Sequence, residues 1–167
     1  MIRYLPDEPF PAYAYRPGRD PHPVRDPRGH SYGLHSPAPP VPDPARWRDS
    51  RDYLRGIDLF NAGYYWEAHE AWEGLWNACG RTGPTALLMQ ALIALTAAGV
   101  KVRAGNGRGA ASHARRAERM LMDLAATAPL FMGLKLSGLA ANAAGLAHNP
   151  AAAGEGQAVL GLVLEPA

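Results

Sequence analysis

Phe60–Asn77 reads FNAGYYWEAHEAWEGLWN, and the fold turns on how this stretch is read. Asn61-Ala62-Gly63 breaks one helix, because Asn and Gly tolerate the left-handed conformation that ends helices. From about Tyr64 to Asn77 the residues suit a second helix, in which positions three and four apart share a face. Trp66, His69, Glu70, Glu73, Trp76 and Asn77 then form one stripe, with Trp72 beside it and Glu67, Ala71 and Gly74 on another flank. An imidazole and two carboxylates bordered by tryptophans are expected to be shielded from water. Shielded charges need partners, since burying them alone costs several kcal/mol.

Working outward, helical periodicity continues on both sides. Tyr53, Leu54, Ile57 and Phe60 recur at helical spacing, with Arg51, Asp52, Arg55 and Asp58 assigned mostly to the opposite face. Asp43-Pro44 and Asp49-Ser50 are alternative starts for this first helix, each offering an N-cap oxygen. Thr82 or Gly83 before Pro84 opens a long third helix, about residues 84–104, almost uncharged until Lys101 and therefore central. Gly105-Asn106-Gly107 stops it, and Asn106 can cap a fourth helix over about 108–126. A weaker fifth helix is predicted over 130–147, interrupted by Gly133, Gly138 and Gly145. The expected fold is all-α, a compact bundle or array of about four to five helices.

Residues 1–46 are predicted to be an extended arm packed on the body, residues 47–148 the helical domain, and residues 149–167 an extended tail. The arm holds most of the chain's 16 prolines, a density that excludes helix interiors and central strands. It also carries Tyr4, Phe10, Tyr13, Tyr15, Tyr32 and Leu34, and disordered tails are poor in aromatics. The tail begins with a small-residue loop and ends in Ala158–Leu164 (AVLGLVL), too apolar to dangle in water.

Composition narrows the class. With 167 residues the chain is about one domain, and its many Ala and Gly residues suggest close helix packing more than large aromatic burial. A net charge of +2 argues for neither nucleic acid nor membrane as a partner, and leaves a homo-oligomer open. Cys79 is the single cysteine, so neither an internal disulfide nor a multi-thiolate metal site can form. The first residues lack the basic start and apolar run of a secretory signal. Ala86–Val100, the most apolar stretch, falls short of the ~20 residues a bilayer span needs. A cytoplasmic protein is expected.

Three arrangements can satisfy the polar stripe. In the first, His69 and Glu73 pair with each other while cations from neighbouring helices satisfy the rest. Lys101 is the candidate, on a stripe with Gln90, Ala94 and Ala97. In the second, His69 and Glu73 chelate a divalent metal with help from Glu70. His-Glu-x-x-Glu differs from the zinc-protease helix His-Glu-x-x-His in its last residue, so a further ligand has to come from elsewhere, with His22, His30, His35 and His113 available. In the third, Glu70 and Glu73 repel each other and one becomes a general acid or base without metal. The metal-free arrangements are favoured over the metal. Pro21–Tyr32 (PHPVRDPRGHSY) could bring His22, Asp26 or His30 over the Glu70/Glu73 face, although docking through Pro and Tyr alone is favoured. The glycine-rich turn Gly105–Gly109 could hold an anion at a helix start, with a simple capped turn favoured because no strand precedes it.

FNAGYYWEAHEAWEGLW, together with LLMQALIALTAAGVKVRAGNGRGA at Leu87–Ala110, resembles the signature of the bacterial family called domain of unknown function 309. The resemblance covers roughly residues 53–124. Its motif positions fall on Phe60, Asn61, Gly63, Glu67, Ala68, His69, Glu70, Glu73, Trp76, Gln90, Gly105, Asn106, Gly109 and Ala110. It implies a compact all-helical domain and supplies no reaction. Many members carry a histidine near the position of Lys101, and lysine there weakens a metal reading. Gly63–Ala68 is also similar to one helix of a tetratricopeptide repeat, but no second copy follows at the ~34-residue period. Two functional classes therefore stand. One is a ligand-binding or hydrolytic protein using His69, Glu70 and Glu73, lined by Trp66, Trp76, Gln90, Lys101, His22 and His30. The other is a non-catalytic helical interaction module in which those residues form a structural buried network.

Overall fold

The computed structural model describes residues 2–35, 37–150 and 158–167. It is mainly helical, and each α-helix packs against the next in chain order. Both predicted starts of the first helix are used. Pro44–Asp49 forms a 3-10 turn whose Asp43 carboxylate accepts from the Ala45 amide, and α1 (Arg51–Asn61) follows from Ser50. Gly63, at φ +81°, reverses the chain into α2 (Tyr65–Ala78). Next come α3 (Gly83–Arg103) and α4 (Gly107–Ala125), the latter capped by the Asn106 side chain accepting from Gly109 N.

The fifth helix departs from expectation. α5 (Leu136–His148) begins six residues later than its pattern suggests, behind a small hairpin of β1 (Leu130–Phe131) and β2 (Leu134–Lys135). Met132 and Gly133 both have positive φ, as a two-residue hairpin turn requires, and Met132 is buried in the core.

A second correction concerns the core. Its largest fully buried side chains are led by Trp72, Tyr53, Tyr65 and Phe60, so small residues do not replace aromatic burial here. They make room for it. A Cβ on Gly56 of α1 would lie 2.1 Å from Trp72 Nε1, and one on Gly99 of α3 would lie 2.6 Å from the Tyr65 ring. Glycine thus notches both neighbours of α2 to receive its aromatics. By length and composition α3 is able to cross a membrane, being longer than its apolar stretch suggests. In this fold 56% of its most apolar window is buried within the protein.

The proline-rich arm contacts the helices through named bonds. The amides of Tyr4 and Leu5 both donate to Asp58, at 2.9 Å each. Arg55 donates to the Pro9 carbonyl, and Phe10 stacks on Tyr64 with ring centroids 5.1 Å apart. Tyr13 and Tyr15 are half-buried, whereas Tyr32 is exposed. At the other end, Leu164 is buried and exchanges two hydrogen bonds with the Asn61 carboxamide, 2.7 Å and 2.8 Å. The small-residue loop predicted at the start of the tail falls largely on residues 151–157, outside the described residues.

Candidate functional site

The inward stripe of α2 is not the one its tryptophans suggest. Tyr65, Ala68, Trp72 and Leu75 are buried against the core, at spacings of three and four. His69, Glu70 and Glu73 occupy the neighbouring face, between core and solvent, with Trp66 and Trp76 half-buried at its ends. The His69 side chain is 31% exposed, Glu70 47% and Glu73 41%. Shielding is therefore much weaker than expected, because the aromatics that carry the burial lie one position round the helix.

The three side chains nonetheless converge. Nδ1 of His69 lies 3.6 Å from Glu70 Oε1 and 3.6 Å from Glu73 Oε2, and one donor atom from each residue falls within 4.8 Å of the others. Neither 3.6 Å separation is a hydrogen bond, contrary to the expected paired arrangement. His69 Nδ1 is shut off from solvent and has no hydrogen-bond partner. Lys101 makes no ion pair with either carboxylate among the described residues. It acts instead on His113 of α4, whose pKa is lowered first by burial and then by the charges of Lys101, Arg116 and His69. Gln90 is half-buried on α3 and makes no side-chain hydrogen bond with this group.

The arm's histidines go elsewhere. His22 lies edge-on to Trp66, at 5.5 Å between centroids, and His35 is exposed. Asp26 pairs with its neighbour Arg28. His30 Nε2 meets Glu67 Oε1 at 3.0 Å, with both side chains almost fully buried (7% and 6% exposed). The same oxygen accepts the Tyr15 amide at 2.9 Å, while Glu67 Oε2 is buried without a partner. Arg103 reaches across from α3 to the carbonyls of Gly63 and Ala14. Burial lowers its pKa, opposed in part by the charge of Glu67.

Glu67 was placed on a flank by helical spacing and is the principal polar residue that reading missed. Asp58 was assigned to a solvent face and is fully buried. A signal for Asp58 existed within α1, where positions 54, 57, 58 and 61 share one face with buried Leu54 and Ile57. Glu67 lies one position before Ala68 on the buried stripe of α2.

Residues 53–113 match the family model described as Domain of unknown function (DUF309), which bears out the resemblance over that span. No curated protein matches the chain. The match covers α1, α2, α3 and the start of α4, and so includes His69, Glu70 and Glu73.

Proposed function

We propose that His69, Glu70 and Glu73 form a small polar site that takes a divalent cation, within a domain whose family carries no assigned activity. One observation carries this reading: the solvent-shielded, unpartnered Nδ1 of His69 stands 3.6 Å from an oxygen on each carboxylate. That spacing is too long for hydrogen bonding. It is close to the edge of a coordination shell, where donors about 2.1 Å from an ion stand about 3.0–3.4 Å apart. One imidazole and two carboxylates suit zinc or manganese, and both glutamates are exposed enough to close the remaining distance. Held by His69, Glu70 and Glu73, such an ion would supply an activated water for hydrolysis.

Thermal melts with and without millimolar zinc or manganese test the site. Wild type is expected to gain several degrees, and Glu73→Gln to lose that gain while its metal-free melting temperature stays unchanged. No metal-dependent gain, or an equal gain in Glu73→Gln, rejects the proposal.

A second reading is a non-catalytic interaction module, whose structural network falls on Asp58, Asn61 and Glu67 and not, as expected, on His69, Glu70 and Glu73. Asp58, Asn61 and Glu67 all spend their hydrogen bonds on the chain's own arm and tail. That observation assigns structural roles to these three residues and leaves the open face of α2 as the part free to meet a partner.

A further inference from the structure

On the far side of α4 lies a cleft of about 490 Å³ that none of the foregoing uses. One wall is α4 itself, through Gly107, Arg108, Ser112, Arg115 and Arg119; the other is the end of α5, through Ala147, His148 and Pro150. Arg108, Ser112, Arg115 and Arg119 follow at intervals of four, three and four, so one helix face carries three guanidinium groups into one cleft. All three arginines are exposed, and among the described residues none is paired with a carboxylate. Nor does any of them donate to the carbonyls that end α5 or to another acceptor among the described residues.

Like charges three and four apart on a helix repel one another. Although Glu118 and Asp123 stand three and four positions after Arg115 and Arg119, neither forms an ion pair with them among the described residues. Charge pairing is otherwise common in the chain: Arg16, Arg28, Arg46 and Arg51 each meet a carboxylate. The cleft also starts at the positive end of a 19-residue helix. Asn106 caps only the Gly109 amide there, and the Gly107 and Arg108 amides have no acceptor among the described residues.

We propose that this cleft binds the phosphate groups of a small phosphorylated ligand. Planar guanidinium groups match phosphate oxygens two at a time, and three of them spaced along about three turns of α4 suit more than one phosphate. The cleft volume falls in the range of small-molecule sites. Ser112, between Arg108 and Arg115 on the same face, adds a hydroxyl donor.

Isothermal titration with inorganic pyrophosphate at low and moderate salt tests the assignment, with sulfate and a single-stranded oligonucleotide as comparison arms. Saturable pyrophosphate binding is expected, weakened at least about tenfold in Arg115→Gln and again in Arg119→Gln. Arg25→Gln removes the same charge from an exposed site on the arm and is expected to leave binding unchanged. Circular dichroism on each variant confirms that α4 is intact. Absence of saturable binding, equal loss in Arg25→Gln, or equal affinity for sulfate overturns the proposal. Tighter binding of the oligonucleotide through the same arginines overturns it in favour of a nucleic-acid surface.

Discussion

Two sets of polar side chains lie within a few turns of each other on α1 and α2, and they are treated oppositely. Asp58, Asn61 and Glu67 are buried, and each receives a backbone group from a distant part of the chain, with only Glu67 Oε2 among their side-chain polar atoms left without a partner. His69, Glu70 and Glu73 are half-exposed and converge without forming a single hydrogen bond among themselves. Buried polar groups that are answered from within the chain are doing structural work, because leaving them unanswered is costly. Groups that converge at a surface and stay unanswered are available to something outside the chain. The contrast teaches that proximity of carboxylates to aromatics in sequence does not distinguish the two cases. The source of the partner does.

The largest effect that separates the regions is expected at Asn61. Asn61→Ala strands the amide and carbonyl of buried Leu164, and is expected to cost roughly 2–4 kcal/mol in denaturant unfolding. A loss below 1 kcal/mol would show that the tail contact does not anchor the fold. A smaller effect is expected from pH at the edge of the second region. Because the folded-state pKa of His113 is lowered from 6.5, its contribution to stability is fully present above that value. It is lost as the pH falls through the lowered folded value. His113→Asn is therefore expected to flatten the decline in melting temperature measured from pH 7.5 down to 5; an unchanged slope contradicts it. The smallest effect is predicted for Glu70→Gln and Glu73→Gln without metal, each within about 0.5 kcal/mol of wild type by the same unfolding measurement. A loss approaching that of Asn61→Ala would erase the distinction between the two regions.

How much of this was legible in the sequence follows from the range of the interactions. Helices α1 to α4 announced themselves through three-four periodicity and local punctuation at Gly63, Pro84 and Asn106, all of which act within a turn or two. The hairpin before α5 was hidden because Met132 takes positive φ, a conformation its residue type does not signal. The convergence of His69, Glu70 and Glu73 was legible for the same local reason as the helices. Their solvent exposure was not, because it depends on Trp72, rather than Trp66 and Trp76, filling the notch at Gly56. The backbone partners of Asp58 and Glu67 lie more than fifty positions away along the chain, in the arm, and His30 lies 37 away, all beyond any local pattern.

The carboxamide of Asn61 has a consequence for the order in which the molecule assembles. Its partner is 103 positions downstream, so this clasp cannot shut while the chain is still being synthesised up to that point. Helices α1 to α4 carry their contacts with one another and with Trp72 upstream of that point and can pack before the tail exists. A chain cut short of Leu164 would have to hand the Asn61 carboxamide to water instead, wetting a floor that the tail otherwise keeps dry.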